Sequence, residues 1–155
     1  MILLTAILSV LVAAGAQARL PALSWLGGLR LELLPALVAY GALTLRRSRV
    51  AAVALVAGAM QDALSAAPFG ISALAYAFAA GILIGTRDAL DRDLPWVQMA
   101  AGALASGACS VAACAVIGFT FSALAKLVVL ALLSSLLTPV LFFAADHVRA
   151  RWKWA

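Results

Sequence analysis

Long apolar runs alternate with short polar interruptions along the whole chain. Runs cover residues 1–18, 32–45, 50–67, 69–86, 95–118 and 122–145, and each predicts a helix. The interruptions carry the stop signals. Arg46, Arg47 and Arg49 close the second run, and Pro68 ends or bends the third because a proline cannot continue a helix. The charged stretch 87–94 (RDALDRDL) separates the fourth from the fifth, and Pro95 suits a first helical turn. Residues 19–31 (RLPALSWLGGLRL) read as an outer connection or a re-entrant piece, and Asp146–Ala155 as a basic tail. Ala16-Gln17-Ala18 is similar to a signal-peptidase site, but no basic segment precedes the first run, so that run is expected to stay as a helix.

Composition turns these helices into membrane spans. The chain has 155 residues, 66% hydrophobic and 11% charged, with mean hydropathy +1.13. A water-soluble domain is about 45–50% apolar and about 25% charged. The expectation is an all-α membrane protein, a single integral domain over 1–155 built as a compact six-transmembrane-helix bundle. The net charge of +5 is placed at helix ends and loops, as orientation in a bilayer requires and nucleic-acid binding does not. With the amino terminus inside, eight cations are cytoplasmic (Arg46, Arg47, Arg49, Arg87, Arg92, Arg149, Arg151, Lys153) and three are outside (Arg19, Arg30, Lys126). That asymmetry predicts both termini in the cytoplasm. Trp25, Trp96, Trp152 and Trp154 all fall at predicted membrane–water boundaries.

Helices in lipid associate through close packing and polar contacts. Ala73, Ala77, Gly81 and Gly85 recur every four residues in the fourth run, and Gly102, Ser106, Ser110, Cys114 and Gly118 do so in the fifth. Each stripe offers a smooth surface, either for a neighbour within the bundle or for a partner's helix. Cys109 and Cys114 read as small packing residues, with no metal-ligand or redox spacing. Pro139 predicts a kink in the sixth helix, with Ser134, Ser135 and Thr138 near the freed backbone.

One stretch breaks the apolar pattern: Gly58–Ser72, GAMQDALSAAPFGIS. A span starting at Val50 places Asp62 about 18 Å along its helix, short of the far end of a ~30 Å hydrocarbon core. A carboxylate there costs at least about 2.5–3.5 kcal/mol unless protein or water shelters it. Three roles stand open for Asp62: accepting hydrogen bonds from helix ends around SAAPFG, meeting another subunit, or lining a ligand or proton site. Lys126, at a similar depth in the sixth run, is a candidate polar partner. Pro68 and Gly70 make SAAPFG a tight hairpin, so the third and fourth helices are expected to be antiparallel neighbours.

At these residues the chain resembles the rod shape-determining protein MreD family. GAMQDALSAAPFGISAL resembles that family's most recognisable stretch, LELLPALVAYGALTLRRSR its second span, and LLSSLLTPVLFFAADHVRAR its last span and basic tail. Glu32 stands at an offset from the acidic residue that the family places beside Pro35. The resemblance covers most of residues 30–151. It implies a non-enzymatic inner-membrane subunit of the bacterial cell-elongation complex. Such a subunit binds the single-span protein MreC and through it joins MreB, RodA and the elongation transpeptidase in directing lateral-wall peptidoglycan synthesis and cell shape. It also implies a fold similar to the six-helix substrate-binding subunits of energy-coupling-factor vitamin transporters. Gln61, Asp62, Pro68, Phe69 and Gly70 carry over as a structural or partner-binding cluster.

The chief alternative is such a vitamin-binding subunit, whose pocket would draw on Asp62, Arg30, Trp25 and Lys126. An enzyme is not expected. His147 is the single histidine, far along the chain from Asp62 and Ser65, and no Ser–His pair, HExxH motif, paired-aspartate motif or phosphate loop is present. Neither metal nor cofactor is predicted.

Overall fold

A computed structural model describes residues 2–20, 32–65, 68–117 and 121–152. They form six α-helices: α1 (Ile2–Arg19), α2 (Leu34–Thr44), α3 (Arg47–Leu64), α4 (Ile71–Thr86), α5 (Pro95–Ile117) and α6 (Phe121–Trp152). The chain is all-helical over the described residues. Two stretches, Pro95–Val116 in α5 and Val128–Val148 in α6, are long and apolar enough to cross a membrane.

Local chemistry sets the boundaries. Pro35 lies in the first turn of α2, where a missing N–H costs no helical bond. Leu45 and Arg46 take extended backbone, so α2 stops and α3 restarts within three residues. α3 ends at Leu64 because Ser65 is extended (φ −105°, ψ 158°), a few residues before the proline that sets its outer limit. Gly70, at φ 104°, leads into α4 with a left-handed backbone that a residue with a Cβ rarely adopts. The basic tail is not a separate segment: α6 runs on through it to Trp152 and passes Pro139 without a break. The hydroxyls of Ser135 and Thr138 donate to the Leu132 and Ser134 carbonyls at 2.7 and 3.3 Å, engaging backbone in the turns before the proline.

α2 is the centre of the fold. It packs against all five other helices, and Leu34, Ala36, Val38, Ala39 and Ala42 are 0–1% exposed. A helix apolar on every side must be surrounded, and this one is. Its 11 residues reach only about 17 Å. The predicted run 32–45 is therefore a short core helix, preceded by Glu32 and its N-cap Leu33, and shorter than the ~30 Å hydrocarbon core is thick.

Two glycines set the tightest packing. A Cβ on Gly58 would run into the Ala73 backbone, so α3 and α4 touch main chain to main chain. A Cβ on Gly102 would meet the Thr138 hydroxyl, which locks α5 against α6. The stripes therefore divide. Gly102, Ser106 and Cys114 are buried and Ser110 half-buried, so the α5 stripe packs within the bundle. On α4 only Ala73 turns inward. Ala77, Gly81 and Gly85 are exposed, with open space beside both glycines. Gly118 lies outside the described residues.

Candidate functional site

The end of α3 and the start of α4, with Pro68–Gly70 before it, form a corner at the end of the bundle opposite Arg46–Arg49. Asp62 sits in the last turn of α3 and is 3% exposed. Its two carboxylate oxygens accept separate backbone N–H groups, Gly70 at 2.6 Å and Ser72 at 3.0 Å. Those donors belong to the first turn of α4, where N–H groups lack partners within the helix. A carboxylate there also faces the positive end of the α4 dipole. Among the three roles open to Asp62, this geometry is the first: it caps the next helix. Ser65 adds a weak 3.4 Å bond to the Asp62 carbonyl.

Gln61, one residue earlier, points into a different set of partners. Its amide oxygen accepts from Gln17 Nε2 at 3.0 Å, and its Nε2 donates to Glu32 Oε1 at 3.0 Å. Gln17 Oε1 accepts the Leu33 N–H at 2.9 Å, which satisfies a backbone donor at the start of α2. Ser106 on α5 donates to Glu32 Oε2 at 3.4 Å. A continuous chain of polar contacts therefore ties α1, the start of α2, α3 and α5 together. Each buried amide left without its partner costs about 1–3 kcal/mol, so the chain is strongly specified once it is buried.

A smaller group lies beside it. The Cys109 thiol donates to Ser72 Oγ at 3.4 Å, linking α5 to the residue that Asp62 caps. Tyr76 is fully buried, and its hydroxyl lies close to Cys109 without a hydrogen bond of ordinary geometry. No ion pair reaches this end among the described residues. Those present, Arg87–Asp88 at 3.6 Å and Arg92–Asp93 at 3.4 Å, are at the other end of the bundle.

No family model, curated protein or solved structure matches the chain.

Among the residues singled out in the sequence, Gln61, Asp62 and Gly70 share the corner, while Pro68 is exposed on its outer side and Phe69 is 77% exposed. Lys126 is in α6, but its side chain lies outside the described residues, as do Trp25 and Arg30. Asp62, the described acid of the vitamin-pocket alternative, has both oxygens engaged by backbone donors. An apolar groove between α4 and α5, lined by Ile82, Thr86, Leu90, Trp96, Ala100 and Leu104, opens at the opposite end. Sequence reasoning missed Gln17, which it read only as part of a cleavage-like triplet. The signal was present: an amide inside an aliphatic run needs a buried partner as surely as Gln61 does. Ser106 stood in a small-residue stripe, and its contact with Glu32 came only from the fold.

Proposed function

We propose that the chain is a six-pass protein of the bacterial inner membrane, with both termini cytoplasmic, and a non-enzymatic scaffold of the MreD type in the cell-elongation complex. The observation that carries the reading is the build of the Gln-Asp/Pro-Phe-Gly stretch. Its acid caps α4 and its amide joins a chain of contacts that links four elements, so its polar groups hold helices in place. A cluster of that kind suits a rigid subunit that presents a surface to partners.

Membrane residence is supported by the outer surface. Leu4, Leu74, Phe78, Val140 and Phe143 are 64–77% exposed on α1, α4 and α6, an apolar exterior that water would disfavour and lipid would cover. The longest helices supply the reach, and α2, too short to span alone, is sheathed by the others. The partner reading draws on α4, whose outward Ala77, Gly81 and Gly85 leave a flat strip on which a single helix can approach closely. MreC is the expected occupant, and MreB, RodA and the elongation transpeptidase are reached through it.

The test is co-purification of the tagged chain with the single-span MreC of the same cell, combined with cysteine crosslinking from positions 81 and 85. Recovery of MreC with crosslinks from α4 supports the assignment. A chain that recovers no MreC, and whose loss leaves rod-shaped cells unchanged, is not this subunit.

A further inference from the structure

The fold gathers arginines that are far apart in sequence. Arg46 and Arg47 are exposed and Arg49 is half-buried at the α2–α3 turn. Arg87, from the end of α4, donates from Nη1 to the Leu45 carbonyl at 3.2 Å, which brings a fourth guanidinium to the same turn. We propose that this corner is a docking site for the phosphate of an anionic phospholipid headgroup in the cytoplasmic leaflet. The inference rests on the membrane reading above but not on membership of the rod complex.

Charge favours an anion here. Asp88 pairs with Arg87 at 3.6 Å but is 82% exposed, and Asp146 is already bonded to the Tyr40 hydroxyl at 2.8 Å. The four arginines at the turn therefore outnumber these two acids. Guanidinium groups match phosphate oxygens with paired N–H donors, which a lone ammonium does not. The same turn holds the start of α3, where no side chain supplies a cap, and this adds partial positive charge.

The apolar surface above the corner selects a lipid over a free phosphate or a soluble acidic protein. Arg47, Ala51 and Leu55 are four residues apart on α3, and all three are exposed. Four-residue spacing keeps them on one face of the helix. The outward face of α3 thus reads cation, small residue, large aliphatic, rising from the loop into the helix. A headgroup at Arg47 has its acyl chain lying along Ala51 and Leu55.

The experiment uses the full chain, delipidated in a non-ionic detergent, with native mass spectrometry in added phosphatidylglycerol or phosphatidylcholine. Near a membrane surface each arginine is worth roughly a fivefold change in affinity for anionic lipid. Phosphatidylglycerol is therefore expected to be retained at least about fivefold better than phosphatidylcholine. R46Q/R47Q/R49Q should lower the preference by at least about fivefold, R47Q alone should lower it in part, and R92Q should leave it unchanged. An excess of inorganic phosphate should not displace the lipid. Equal retention of both lipids overturns the proposal, as does a preference that survives the triple substitution. Displacement by phosphate, or arginine-dependent binding of a poly-glutamate peptide in place of lipid, also overturns it. A chain that stays soluble without detergent would refute the membrane reading itself, a result separate from a detergent-dependent chain that shows no lipid preference.

Discussion

Replacing Asp62 by alanine removes the acceptor for two N–H groups at once. The Ser72 N–H loses its partner in a position only 3% exposed, whereas the half-buried Gly70 N–H retains access to its surroundings. Stranding one buried donor costs about 1–3 kcal/mol, and losing a helix cap typically costs about 1 kcal/mol. The Ser72 bond is itself the cap, so the two figures overlap: a loss near 1–3 kcal/mol is expected for Asp62→Ala, equivalent to a fall in midpoint of roughly 3–9 °C for a chain of this size. Asp62→Asn keeps one oxygen in place and should lose about half as much. Thermal unfolding in detergent, followed by circular dichroism, gives both numbers, and amide exchange at Ser72 should rise in the alanine variant. The reasoning fails if Asp62→Ala melts within about 1 °C of the parent, or if asparagine is as damaging as alanine. The second result would show that the negative charge, and not the capping geometry, is what the site requires.

Other substitutions probe the remaining contacts. Gly58→Ala drives a methyl into the Ala73 backbone and should destabilise by about 2 kcal/mol or more, read as a lower unfolding midpoint. Gly81→Ala, which meets open space, should be neutral or stabilise by up to about 1 kcal/mol through helix propensity, measured in the same way. Gln17→Leu strands the Leu33 N–H and removes the donor to Gln61, so a loss of about 2–3 kcal/mol is expected in detergent-solubilised protein. A double-mutant cycle of Asp62→Asn with Lys126→Met should give a coupling below about 0.5 kcal/mol, because backbone donors already engage both Asp62 oxygens; a coupling above about 1 kcal/mol would reveal an ion pair.

The chain's apolar runs and their punctuation determined much of this protein on their own. Helices follow wherever uninterrupted aliphatic sequence leaves the backbone only its own bonds to make. Arg46–Arg49, Pro68 and Pro95 marked the breaks because charge and proline act locally. Asp62 was legible as a group needing shelter, since burial of a carboxylate is costly wherever it occurs. Tertiary structure alone decided what provides that shelter, because the Gly70 and Ser72 donors depend on how the start of α4 lies against the end of α3. It also decided that α2 is a short, enclosed core, that the α4 stripe faces outward while the α5 stripe faces inward, and that Gln17 meets Gln61. Periodicity fixes which residues share a helix face, but not which helix that face meets. Contacts between residues 44 or 74 positions apart, such as Gln17–Gln61 and Glu32–Ser106, are set by packing between helices, on which local sequence is silent.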